Sequence, residues 1–526
     1  MNLRGDLQLL LVVLCSCGCA AVDTVDAVEL GDFGTLGKAD AVQVAVPFEV
    51  GPGESVSFRL RTHGRLEVNT EQSETGQRLQ LTAESTSYRR RSWRGRAPFL
   101  RVPGTVTASR LTEYSLELHN WGAETALGTL AIATTEPDAP GIRLVANAPE
   151  CSDCDPAGEL REATLEAIQG ANVSIDLAVY GIDDPAIVDA LCEAALAGLR
   201  VRVVSDAAEA QAGRRYHDAL KGGTSLEDCG VEVELTDYSG IMHDKFYLID
   251  AGTEAPVLVT GSTNQTTAGF ETSHNHSLVL HGAGAMVDAY GLEFDQLFTH
   301  CAASGCGECT PACTANLAPE GPFEVGPATV ELFFSPSDDA LTALRGPANS
   351  VRVDEPDPAC GPGADCLCRP SGTRWRCHYC ALDGDWGLVG EAEERLLSTL
   401  YVITDACFAL GMANAAERGV ETSLVIDKVN AASPHSVDTD VCQMGVPTYV
   451  SQWRDGSAQA RNHHKLVVVD DAVFTGSMNI SAAGVDRNHE NTLLIRGDAA
   501  LADSAAAIVH DAVLQLTDMG VRSTCE

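Results

Sequence analysis

Apolar and polar positions change their rhythm near residue 140. Before it, Val42 to Val50 and Ser55 to Leu60 alternate, and Tyr114-Ser115-Leu116-Glu117-Leu118 alternates strictly, with Gly, Pro and Asn between the runs. Alternation without an intervening helical period marks half-buried strands. Residues 40–138 are therefore expected to form an antiparallel β-sandwich accessory domain. From Gly141 onward the pattern becomes that of an α/β protein. Ser174 to Tyr180 is a continuous β-prone apolar run, Ala186 to Ala197 has helical spacing, Leu199 to Ser205 is a strand ending at Asp206, and Val231 to Leu235 is another strand.

The same order then returns. Leu400 to Thr404 is strand-like, Ala406 to Arg418 helical, and Val420 to Ile426 ends at Asp427, 221 positions after Asp206. Helices at Ala285 to Phe298 and Leu501 to Leu516 close the two stretches. Matching order at a fixed offset predicts a tandem duplication of an α/β unit, with halves at 141–315 and 326–526. Residues 354–386 have no counterpart in the first half and are rich in Gly, Pro, Asp and Cys. They read as a disulfide-stapled surface insertion, either a lid or specificity element or a plain staple.

Composition narrows the class. A chain of 526 residues with 45% hydrophobic content is expected to hold two or three domains. The net charge of −39 argues against a general nucleic-acid binder, which gains affinity by neutralising phosphates. Against that acidity the run Arg89-Arg90-Arg91-Ser92-Trp93-Arg94-Gly95-Arg96 stands out, as a loop for anionic headgroups or surface polysaccharide or as a solvated hairpin tip.

The N-terminus carries Arg4, an apolar run from Leu7 to Leu14, then small residues and Cys, which is the make-up of an export signal over residues 1–21. Leu14-Cys15-Ser16-Cys17 resembles a bacterial lipoprotein cleavage box with Cys17 lipidated; Cys19, or plain cleavage after Ala21, are the other readings. No later stretch is expected to span a membrane. Of 19 Cys, the 16 outside the signal region are an even number, as a disulfide-bearing exported chain prefers. Zinc is the rival reading for Cys306-x2-Cys309 and Cys377-x2-Cys380.

The chemistry is written twice. His243-Asp244-Lys245, four residues and Asp250 return as His463-His464-Lys465 and Asp470, 220 positions on. Each phrase is followed by Gly-Ser-x-Asn, at Gly261-Ser262-Thr263-Asn264 and Gly476-Ser477-Met478-Asn479. His and Lys two apart are expected to point to one face of a strand, and the Gly-Ser-x-Asn turn to return a hydroxyl and an amide to the same edge. Two imidazoles, two ammonium groups and two amides suit a phosphodiester. Lys245, Lys465, Asn264, Asn479, Ser262 and Ser477 are candidates for binding its oxygens, while one neutral imidazole attacks phosphorus and the other donates a proton to the leaving alkoxide. Asp250 and Asp470 read as structural supports at strand ends. His464, His274 and His276 border the motifs. The chemistry asks for no metal or cofactor.

The paired phrases resemble the phospholipase D superfamily, and the resemblance covers Gly141 to the C-terminus. It implies a duplicated α/β/α fold, a metal-independent phosphodiesterase and a covalent phosphohistidine, with His243 as nucleophile and His463 as general acid/base. It also implies an acidic residue downstream of each His. In the second half Glu490 stands there; in the first half Asn275 takes its place. This places a neutral support beside His243, suited to a nucleophile, and a carboxylate beside His463, suited to a general acid.

Function then follows as an exported phosphodiesterase, secreted or lipid-anchored, that hydrolyses or transfers the phosphatidyl group of phospholipids. The alternative is an endonuclease of the same superfamily acting on extracellular nucleic acid, against which no basic stripe with aromatics flanks the motifs. A lipid synthase using an alcohol acceptor and a catalytically dead surface binder are further classes. With both motifs in one chain, a monomer suffices.

Overall fold

The computed structural model describes residues 28–33, 42–62, 65–72, 77, 79–85, 91–95, 99–102, 112–135, 140–147, 149, 156–207, 226–236, 240–253, 255–300, 321–361, 363–451, 461–519 and 521. The export signal, the Cys306/Cys309 pair and Arg89, Arg90 and Arg96 lie outside them.

The N-terminal region is two stacked sheets. One has five strands, in the order Val28–Phe33, Ser55–Thr62, Thr112–Asn120, Leu79–Ser85, Arg91–Gly95; the other has four, Val42–Val50, Ala126–Thr135, Arg65–Gln72, Phe99–Val102. The alternating runs put Phe48, Phe58, Leu60, Leu116, Leu118 and Leu130 into one buried layer between them. Two features differ from expectation. The first strand lies before residue 40 and pairs parallel with Ser55–Thr62. The arginine-rich run is no loop tip over residues 91–95, where it pairs as a strand with Leu79 to Ala83.

Two mixed sheets follow, and they match strand for strand. The first runs Gly141–Ala146, His276–His281, Val257–Gly261, Lys245–Ile249, Ser174–Val179, Arg200–Asp206, Glu232–Thr236. The second runs Ala328–Ser335, Glu490–Arg496, Ala472–Gly476, Lys465–Val469, Arg395–Leu400, Glu421–Ile426, Thr448–Val450, with Phe323–Val325 added at the first edge. The central strands are largely buried because both faces are covered; Ser174–Val179 is buried at every position, with Asp176 paired to Arg200 and Arg202.

Helices fill the outer faces. Asp184 caps Pro185–Leu196 and Asp405 caps Ala406–Glu417, each through a carboxylate accepting first-turn N–H groups. The inner faces form one core that draws Phe246, Tyr290 and Phe294 from the first half and Phe334, Leu466 and Leu493 from the second. The closing helix Ala499–Asp518 is, by length and composition alone and against expectation, apolar enough to cross a membrane. Its Leu501, Ala505, Val509 and Leu516 belong to the shared core.

The insertion is a three-stranded sheet, Asn349–Val353, Arg374–Tyr379 and Cys366–Ser371. Disulfides Cys360–Cys366 and Cys368–Cys377 cross-link it, and Cys380–Cys407 ties it to the helix Ala406–Glu417. Cys377 and Cys380 thus take separate disulfide partners, which removes the zinc reading for that pair. A fourth disulfide, Cys192–Cys229, joins the helix Pro185–Leu196 to the segment before Glu232–Thr236.

Asp250 and Asp470 close the motif strands with φ of 54° and 50°. The Asp250 carboxylate accepts from the backbone N–H groups of Asn172, Val173 and Ser174 at 2.7–3.1 Å, and Asp470 does the same for Glu393, Glu394 and Arg395 at 2.8–2.9 Å. Each pins its motif strand to the start of the neighbouring central strand. Asp250→Ala leaves the buried Ser174 N–H and the partly buried donors of Asn172 and Val173 without their acceptor, so it should lower unfolding free energy by about 1–2 kcal/mol, read from the denaturant midpoint.

Candidate active site

The motif histidines do not sit on the motif strands. Those strands begin at Lys245 and Lys465, and each His stands just before one, in a segment that pairs with the other half. His243 N–H donates to the carbonyl of His489 at 2.9 Å, and His489 N–H returns to Ile241 at 3.0 Å. On the other side His463 N–H donates to His274 at 2.9 Å, and Arg461-Asn462 pairs with Ser273-His274. The strand-face expectation for His and Lys is therefore corrected: backbone pairing across the halves orients the His, and pairing within the half holds the Lys.

The crossing also overturns the expected supports. Glu490 lies against His243, Oε2 to Nδ1 at 2.7 Å, and Asn275 lies against His463, Oδ1 to Nδ1 at 2.9 Å. Each supporting residue follows a segment bonded to the opposite motif, so nearness in sequence misassigns both. Ser262 and Ser477 are corrected as well. Both are fully buried, with hydroxyls donating to Asn275 Oδ1 at 2.9 Å and Glu490 Oε2 at 2.8 Å. Their protons hold the supports, leaving them no path to a phosphate.

Gly261 and Gly476 make this packing feasible. Their φ values are 151° and 146°, and a Cβ would stand 2.5 Å from the His276 carbonyl and 2.2 Å from that of Asn491. The turns then deliver Asn264 and Asn479, half-buried, with side-chain oxygens unpartnered among the described residues. Lys245 Nζ donates to the His243 carbonyl at 2.6 Å and Lys465 Nζ to that of His463 at 3.0 Å.

Two tyrosines complete the walls and were missed in the sequence. Tyr180 stands edge-on to His243 at 5.3 Å between centroids, with Lys245 Nζ 5.8 Å from its ring. Tyr401 stands 4.7 Å from His463, with Lys465 Nζ 5.2 Å from its ring. Both directly follow the central strand of their half and are 221 positions apart, so the duplication offset would have found them. His276 and His464 are buried behind the site, Nδ1 to Nδ1 at 2.9 Å, rather than facing a ligand.

Electrostatically the pocket is a buried cluster of basic groups. Burial, then Lys245 and Lys465, hold the His243 imidazole well below its usual range. Burial, then Lys465, Lys245 and His243, do the same to His463, which shows how closely the two motif sets converge. Burial lowers Lys245 to about 8, opposed by Glu490 and Asp244, and lowers Lys465 further with Lys245 beside it. Burial raises Glu490 to about 7 against the pull of Lys245 and of its hydrogen bonds from Asn488 and Ser477. An anion bound between the lysines would restore their charge.

The family profile described as "Cardiolipin synthase, PLD-like domain" matches residues 164–298 and 387–511, one segment in each half. Phospholipase D of Rickettsia conorii is 28% identical over 117 residues, which is 22% of this chain and 56% of that protein. The mitochondrial cardiolipin hydrolase of Homo sapiens is 32% identical over 145 residues, 27% of this chain and 52% of that protein. The chain thus spans little more than half the length of these curated relatives. The phosphatidylserine synthase structure from Haemophilus influenzae Rd KW20 aligns with a TM-score of 0.42 at 15% identity, over 68% of this chain and 82% of that one. Two complete motifs in matched halves, together with the profile matches, place the chain in the phospholipase D superfamily.

The pH dependence follows from the groups in the pocket. With Glu490 acting as a carboxylate and Lys245 as an ammonium group, kcat/KM on a phosphate diester should rise through about pH 7 and fall above about pH 8. Glu490→Gln should lower kcat and abolish the acidic limb; a rate profile with that limb intact would contradict the assignment.

Proposed function

We propose that the protein is an exported phospholipase D-type phosphodiesterase that cleaves the headgroup side of phospholipids through a phosphohistidine. The observation that carries this is the convergence of two His-Lys-Asn sets on one pocket, with a carboxylate on His243 Nδ1. His243 Nε2 attacks phosphorus in line, and the bond from phosphorus to the headgroup oxygen breaks. His463 gives that oxygen its proton, and the headgroup leaves as an alcohol. His463, now neutral, takes a proton from water, whose oxygen displaces His243 and releases phosphatidate. Lys245, Lys465, Asn264 and Asn479 hold the non-bridging oxygens, where charge accumulates in the transition state. The residues do this without a metal or cofactor.

Lipid as substrate is supported by the curated relatives, named as phospholipase D and cardiolipin hydrolase, and by a net charge of −39 that repels nucleic acid. Export is supported by four disulfides among the described residues and by the N-terminal signal pattern.

Purified mature protein given phosphatidylcholine vesicles and a primary alcohol should form phosphatidylalcohol, insensitive to EDTA and lost in His243→Ala and His463→Ala. Cleavage of single-stranded DNA with silence on lipid would move the protein to the endonuclease alternative.

A further inference from the structure

The three strands of the insertion hold four arginines and no acidic residue: Arg352 on Asn349–Val353, Arg374 and Arg376 on Arg374–Tyr379, and Arg369 on Cys366–Ser371. The acidic residues of this segment, from Asp354 to Asp385, all lie outside those strands. Register puts the four arginines on one face. Arg352 stands opposite Arg376 and Arg376 opposite Arg369, in a row across the sheet, and Arg374 is two residues along the middle strand. Like charges directly opposite one another destabilise a sheet. The row costs stability unless an anion covers it.

The protein covers only part of the face. Arg369 pairs with Asp440 at 2.7 Å and Arg374 with Asp354 at 3.1 Å. Arg352, exposed, and Arg376, half-buried, have no ion-pair partner among the described residues. His378, on the same face, responds to this charge: burial lowers its imidazole below the usual range, and Arg376, Arg369 and Arg345 lower it further against Asp405.

The row is held beside the catalytic pocket. Leu367, two residues before Arg369, packs with Cys407 and Leu410 of the helix Ala406–Glu417, to which Cys380 is disulfide-bonded. Arg369 donates to the carbonyls of His435 and Ser436. The next residue, Val437, gives its N–H to Ile403, two residues beyond Tyr401 of the site wall. Val429, an exposed apolar side chain, stands on the short helix Lys428–Ala431 that leads into the same loop. A chain with a net charge of −39 is repelled by a phosphate-bearing surface, and this face reverses the sign next to the pocket.

Resting on the phospholipid reading above, we infer that the arginine face of the insertion is a docking surface for anionic phospholipid headgroups, which engages the lipids around the substrate and turns the pocket toward the membrane. Guanidinium forks match phosphate oxygens in pairs. Nucleic acid fits the face less well, because Trp375 and Tyr379, on which bases would stack, alternate onto the opposite face.

The test sediments sucrose-loaded vesicles of phosphatidylcholine and phosphatidylglycerol with His463→Ala protein, so that no lipid is consumed. Replacing Arg352 and Arg376 together by Gln should weaken binding about tenfold or more, and the exposed Arg352→Gln alone about fivefold. Added salt should erase the difference. In the active protein the double substitution should leave kcat/KM on soluble bis(4-nitrophenyl) phosphate unchanged. It should leave the thermal midpoint unchanged or raise it, because the like-charge row is relieved.

Undiminished vesicle binding overturns the inference. A lowered thermal midpoint beside the lowered affinity overturns it too, since the arginines would then be structural. So does binding of single-stranded DNA that is lost with the same substitutions while vesicles are ignored. Wild-type protein that binds these vesicles through the arginines yet turns over no lipid would refute the cleavage reading and leave the docking face standing. Vesicle turnover untouched by the double substitution would do the reverse.

Discussion

The site depends on a crossing of backbone between the halves. His243 and His463 each give their N–H to a carbonyl of the other half, at His489 and His274. The next residue of that partner segment, Glu490 or Asn275, is thereby brought to the ring. Buried backbone donors must be matched, so the crossing could not be lost without unmatched groups at the centre of the molecule. Neither half holds a complete site, and the core they share makes the same demand of the packing.

That dependence also explains the electrostatics. Two buried ammonium groups near each other are costly, and burial lowers both Lys245 and Lys465. Glu490 offsets both while also supporting His243, with Asp244 acting on Lys245 and Asp427 on Lys465. The acidic exterior and this small cationic centre are separate matters: the surface governs solubility and partners, the pocket governs which anion is held.

Much of the architecture was legible because strands covered on both faces carry few polar residues, as at Ser174–Val179; its counterpart in the second half was placed at Leu400 to Thr404, whereas the strand is Arg395–Leu400, where Arg395, Ser398 and Thr399 break the apolar run. The motif residues were legible for a simpler reason, since a phrase repeated at a fixed offset survives any misjudged boundary. The pairing of supports was not. Sequence order puts Glu490 nearest His463 and Asn275 nearest His243, and only long-range pairing across the halves reverses this. Ser262 and Ser477 misled for a related reason: a hydroxyl after a tight turn suits a phosphate as well as a buried carboxylate, and burial alone decides between them. Tyr180 and Tyr401 were legible through the offset, but a tyrosine after a buried strand passes for core.

Joining both motifs in one polypeptide has a consequence for inheritance. An assembly of two identical one-motif chains must carry the same residue at both supporting positions, so any change that suits the nucleophile is imposed on the acid as well. A chain that encodes the two copies separately is free of that bond. Its copies can diverge, as the carboxylate of Glu490 and the amide of Asn275 do, while the crossed backbone keeps each against the ring of the other half.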